Sequence, residues 1–185
     1  MSSSATRCSG SNSRRRRYSS GNGTIGLEIL EDLPDVDAVV IPVGGGGLAT
    51  GIATAIKARR PQSRIVTAEP ATGAALHAAL SAGEPTDVDY ETSFVDGSGS
   101  RRVLDAMWPR LRPLVDEALS VPIADTAGAV RTLAERLRVI AEGAGALATA
   151  AALSGAAGGG KIVAIVSGGN INLPTLARIL DGGLG

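Results

Sequence analysis

Aromatic residues make up only 2% of this 185-residue chain, and it has a single cysteine, Cys8. With so few aromatics, the core must be built from Val, Ile, Leu and Ala, which suit tightly packed α/β layers. The same shortage removes the stacking platforms on which single-stranded nucleic acid is usually held. One cysteine excludes a disulfide framework within the chain and makes a reducing, cytoplasmic setting the expectation. No apolar run approaches the ~18 residues that a membrane span requires, so no membrane partner is expected. Lysine is scarce, with only Lys57 and Lys161, and the one histidine, His77, lies among alanines on a predicted helix.

Charge is balanced over the whole chain, 18 basic against 18 acidic groups, but not along it. Residues 1–20 hold five arginines and no acid, which leaves 13 basic and 18 acidic groups in the remainder. An acidic body argues against nucleic-acid binding by the folded part. The Ser/Arg-rich stretch 1–20 reads as a disordered tail, and its composition changes abruptly at Gly21, as an aberrant start would produce. The arginines at 14–17 are the sole footing for a nucleic-acid-binding reading. No apolar stretch follows them, so they do not open a secretory signal.

What remains, 21–185, is long enough for one domain with its own core. Its pattern alternates helix and strand. Helices are predicted over 24–33, 48–59, 73–82, 143–153 and, interrupted near Pro109 and Pro113, 101–117. Strands are predicted over 38–43, 64–68, 118–123 and 161–166, the last a continuous apolar run of the kind buried on both faces. Asp125 is placed to cap a helix whose apolar face would be Ala129, Val130, Leu133, Leu137 and Ile140. Asn172 is placed to cap a final helix with Pro174 in its first turn. The alternation predicts an α/β fold with a parallel sheet flanked by helices.

Two glycine turns carry the chemistry. Pro42-Val43-Gly44-Gly45-Gly46-Gly47-Leu48 follows one predicted strand and opens a helix. Ser167-Gly168-Gly169-Asn170 follows another. Consecutive glycines at a strand-to-helix junction let backbone N–H groups converge on an anion such as a phosphate. No Gly-Lys-Ser/Thr follows, so this is not a Walker loop, and the spacing only loosely imitates a dinucleotide fingerprint, with Glu69 in the acidic place. In open α/β sheets ligands bind at the carboxyl ends of strands, so both turns should face one edge.

Six segments, in order and spacing, resemble the pyridoxal-phosphate (PLP) dependent threonine/serine dehydratase family, which includes serine racemase. They are Gly23-Thr24-Ile25-Gly26-Leu27-Glu28-Ile29, the turn at 42–48, Ala68-Glu69-Pro70, Phe94-Val95-Asp96-Gly97, Glu142-Gly143-Ala144-Gly145-Ala146, and the turn at 167–170. The resemblance covers 21 to about 180 and implies a fold-type-II, tryptophan-synthase-β-like catalytic domain. It implies that Gly44, Gly45, Gly46, Gly47 and Leu48 donate backbone N–H groups to the cofactor phosphate. It also implies that Ser167, with Gly168 beside it, bonds the pyridine nitrogen, and that Glu142 and Gly143 line the ring pocket. A serine at that nitrogen leaves it largely unprotonated, which suits β-elimination. The implied activity converts L-threonine or L-serine to a 2-oxo acid and ammonia, and family members are commonly homo-oligomers.

Two departures qualify the resemblance. The family carries its Schiff-base lysine in a Ser-Phe-Lys-like motif, beside a Ser/Asn-rich loop that grips the substrate carboxylate, and this chain has neither. The expectation is a truncated catalytic domain that needs its N-terminal half. The alternative is an inactive fragment or pseudogene product that binds PLP or phosphate without turnover. In racemase-like members a divalent cation sits on the glutamate of the Ala-Glu-Pro turn and on an aspartate six residues later. Here Glu69 is present but Ala75 takes the aspartate's place, which leaves Glu69 as a single metal ligand.

Overall fold

The structure, a computed structural model, describes residues 10–185, with side-chain environments from residue 21 onward. Helix α1 spans Gly10–Asp32, so the backbone is already helical within the stretch expected to be a tail, and residues 1–9 of that stretch lie outside the described residues. There follow β1 (Ala38–Pro42), α2 (Gly47–Arg59), β2 (Arg64–Pro70), α3 (Ala75–Ala82), the single turn α4 (Trp108–Leu111), β3 (Glu117–Val121) and α5 (Ile123–Thr132). A π-helical turn, Leu133–Leu137, extends α5, and α6 (Gly143–Leu153), β4 (Ile162–Ala164) and α7 (Leu173–Leu180) complete the chain.

Among the described residues the four strands are all parallel, in the order β3-β2-β1-β4. Every residue of β1 is buried, and alternate side chains feed opposite layers. Val39 and Ile41 join Ile52, Ile56, Ile65 and Leu76 beneath α1, α2 and α3. Val40 joins Val66, Leu147, Ile179 and the alanines of α5 and α6 on the other face. Both faces of the sheet are thus covered, as a strand buried along its whole length requires. Helices α1 and α2 meet backbone to backbone, because a Cβ on Gly26 would stand 2.8 Å from the Ile52 carbonyl oxygen.

Several elements differ from the sequence reading. The stretch 101–117 is helical only over α4. Pro109 stands in that turn's first positions and Pro113 follows it. Val103, Met107, Leu111 and Val115 nonetheless keep a four-residue spacing and are all buried, so a string of short turns satisfies the pattern a helix would have. Pro122, not Asp125, occupies the cap of α5, and Asp125 sits in its first turn without a capping bond. The apolar face read through Leu137 and Ile140 ends early, since the π turn closes on Arg138 in the left-handed region (φ 59°) and both residues are exposed. β4 is three residues long and half-buried, not a strand buried on both faces, because among the described residues it pairs with β1 alone. The last helix conforms to its reading: the Asn172 Oδ1 accepts from Thr175 N at 2.8 Å.

Candidate functional site

The chain runs outward from β1 to β2 to β3 and then returns to place β4 on the other side of β1. The crevice at the carboxyl ends of β1 and β4 is therefore the topological switch point of the sheet, where open α/β folds bind ligands. Each of these two strands is followed by a glycine turn. A cavity of about 180 Å³ lies between the turns, lined by Pro42, the residues 44–48, Gly97, Ser98, Ala144 and Ser167. The structure thus brings Gly44, Gly45, Gly46, Gly47, Leu48 and Ser167 to one space. Glu142, Gly143 and Gly168, expected at the ring pocket, are not among the residues that line it.

The four glycines of the first turn serve different ends. Gly46 has φ +80°, and a Cβ there would press on the Leu111 side chain at 2.9 Å. Gly44 backs onto the Gly97 carbonyl, 3.1 Å from where its Cβ would be. Gly45 and Gly47 line the cavity, and a Cβ on either would meet no protein atom within 4 Å. Packing therefore does not demand glycine at these two positions; a side chain there would enter open space that a ligand can use. The first-turn N–H groups of α2 have no acceptor one turn earlier and point out of the helix end. This donor set, at a helix N-terminus and with room in front of it, fits a phosphate group.

The loop 97–99 closes one side. The buried Ser98 hydroxyl and the Gly99 N–H both donate to the Val43 carbonyl, the latter at 3.1 Å, which fixes where the glycine turn leaves β1. Beyond this strap lies a second cavity of about 250 Å³, whose wall includes Gly44, Gly45, Glu69, Asp96 and Arg102. Glu69 is 1% exposed. Its carboxylate accepts from Leu76 N at 3.0 Å and His77 N at 2.9 Å, holding the first turn of α3. Burial pushes its carboxyl up to about 7, with the two backbone hydrogen bonds opposing the shift. No group of three or more His, Cys, Asp or Glu that could hold a metal ion stands together among the described residues. Sequence reasoning missed the hold of Glu69 on α3, because the partners are backbone groups seven and eight residues away and carry no side-chain signature.

Neither lysine lines either cavity. Lys57 pairs with Asp116 at 2.7 Å and donates to the Ser63 carbonyl, and Lys161 pairs with Asp35. On the Ser167 side, α6 abuts the turn directly. Glu142 N donates to the Gly168 carbonyl at 3.1 Å, and Asn170 N donates to Glu142 Oε2 at 3.1 Å. A Cβ on Gly143 would strike the Phe94 ring at 2.9 Å, so this glycine is set by packing. The Ser167 hydroxyl has no protein partner among the described residues and is free to meet a ligand. No described helix is long and apolar enough to cross a membrane.

Comparison with known proteins gives the family and the fold. Residues 8–168 match the family described as pyridoxal-phosphate dependent enzyme. The L-threonine ammonia-lyase of Thermotoga maritima is 41% identical over 165 residues, covering 89% of this chain and 41% of that protein. The catabolic L-threonine dehydratase of Escherichia coli is 40% identical, covering 86% of this chain and 50% of that protein. Among solved structures, maize serine racemase superposes with a TM-score of 0.79 at 36% identity, over 86% of this chain and 52% of that one. The processed form of threonine deaminase isoform 2 from Solanum lycopersicum gives 0.78 at 32%, over 87% and 48%. The chain therefore spans about half the length of the relatives it matches. With a match over most of its residues and a sheet that carries both glycine turns to one crevice, the chain belongs to the pyridoxal-phosphate dependent enzyme family, fold type II.

Proposed function

We propose that this chain is the phosphate-anchoring part of a PLP-dependent threonine/serine dehydratase, which deaminates L-threonine or L-serine to a 2-oxo acid and ammonia. The observation that carries the reading is the convergence of residues 44–48 and Ser167 on one cavity at the switch point. The relatives named for L-threonine supply the substrate class. When bound, PLP supplies the electron sink that makes the α-proton of an amino acid removable. In this reading Gly44, Gly45, Gly46, Gly47 and Leu48 hold the phosphate through backbone N–H groups. Ser167 meets the ring nitrogen, while Glu142, Gly143 and Gly168 shape the wall behind it.

The base that takes the α-proton, and the covalent anchor for the cofactor, come from outside the described residues. Both lysines of the chain are engaged in ion pairs away from the cavity. Exposed apolar side chains support a partner polypeptide with the character of the relatives' N-terminal half. Among the described residues, Leu137, Ile140, Val166 and Leu173 are 65%, 48%, 39% and 76% exposed, and β4 stands at the end of the sheet. Reconstitution tests the proposal. The purified chain, mixed with the N-terminal half of the Thermotoga maritima relative and PLP, is expected to release ammonia and a 2-oxo acid from L-threonine or L-serine. Turnover from neither amino acid, with PLP bound, would leave the alternative of a binding fragment without activity.

A further inference from the structure

The turn that carries Ser167 is weakly held by the sheet. β4 ends at Ala164, and the last bond to its neighbour runs from Ile165 N to the Val40 carbonyl at 3.0 Å. From Val166 to Asn170 the chain is largely exposed. What fixes it is the segment 140–145. Glu142 N donates to the Gly168 carbonyl, and Glu142 Oε2 accepts from Asn170 N, each at 3.1 Å. A Cβ on Gly168 would lie 2.5 Å from Glu142 Oε1, and one on Gly169 would lie 2.5 Å from the Ile140 carbonyl oxygen. Glycine at both positions is what lets the turn approach so closely. Glu142 occupies the cap position of α6, yet its side chain makes no capping bond to that helix. The carboxylate is used across the gap instead.

We propose that Glu142 is a positioning residue: its carboxylate bridges α6 to the turn 167–170 and so sets where the Ser167 hydroxyl stands at the cavity. This rests on the proposed function only for what Ser167 contacts; the bridge is a property of the protein without ligand. The reading differs from a direct contact between Glu142 and a bound ring. A bridge acts through Ser167 and needs only an acceptor oxygen, so the amide variant should preserve it. A direct contact acts independently of Ser167.

The test uses E142Q, E142A, S167A and the double variant E142A/S167A of the full chain. Amide hydrogen exchange at Asn170 is read without ligand, and PLP affinity by titration. In E142A, exchange at Asn170 should accelerate about tenfold, as loss of a single hydrogen bond allows, while E142Q stays near the unsubstituted chain. PLP affinity should fall about fivefold in E142A, and in the double variant no further than in S167A alone. Unchanged Asn170 exchange in E142A, additive losses in the double variant, or an E142Q that behaves as E142A would each overturn the bridge. If E142A does not fold, Glu142→Asp, whose shorter side chain falls short of Asn170, should show the same acceleration. If no protein binds PLP, the proposed function fails while Asn170 exchange still decides the bridge.

Discussion

Four adjacent glycines look alike in a sequence but have separate physical reasons here. Gly46 is required by a left-handed backbone and by Leu111, so Gly46→Ala should cost about 1–2 kcal/mol in urea unfolding. Gly45 borders open space. Gly45→Val should leave stability within about 0.5 kcal/mol and weaken PLP binding at least about tenfold, read by titration. Glu69 gives a signed pH effect. Its carboxyl rises from 4.5 to about 7 on burial, so between these values the folded chain holds a proton that the unfolded chain has lost. Stability should then be highest below about pH 4.5, fall as pH rises through about 7, and level off above, a change of up to about 3 kcal/mol. Glu69→Gln should flatten that part of the profile in denaturant unfolding measured across pH. The glycine turns and Ser167 were legible in the sequence because their chemistry is local. The double backbone bond to Glu69 was not, because a fold must first bring the start of α3 back to the end of β2.

At the level of elements, pattern succeeded where one physical cause dominated. β1 and β2 read as strands because helices cover both faces of the sheet and leave apolar runs, and α2 and α6 read as helices from small residues in sequence with glycine starts. Pattern overreached where an element lies at the margin of the core. The run 161–166 looks fully buried, yet β4 is an edge strand whose apolar side chains pack on both layers and stay only partly buried. Leu137 and Ile140 continue a helical spacing that the π turn has already ended. Amide exchange should separate the strands: β4 protection should be at least about tenfold below that of β1, which is paired on both sides. Equal protection would mean that the β4 edge is covered in solution. The cap of α7 is a simpler case, and Asn172→Ala should cost about 1 kcal/mol of unfolding free energy.

For the molecule as a whole, strand order decides function. Because β4 returns beside β1, two turns about 120 residues apart in sequence face one cavity, with separate apolar layers above and below the sheet. Alternation of elements predicted the parallel sheet, but not which strands would be neighbours. The exposed apolar residues Leu137, Ile140, Val166 and Leu173, each worth about 1.5–3 kcal/mol when buried, should drive self-association of the isolated chain. Sedimentation should show that serine at Leu137, Ile140 and Leu173 together reduces it. The central claim is that residues 44–48 form a cradle for the phosphate of PLP. Its most direct test is titration of the purified chain with PLP and with pyridoxal, which lacks the phosphate, in the presence and absence of inorganic phosphate. The account predicts saturable PLP binding, at least about tenfold tighter than pyridoxal and competed by phosphate. Equal binding of the two, indifferent to phosphate, would contradict it.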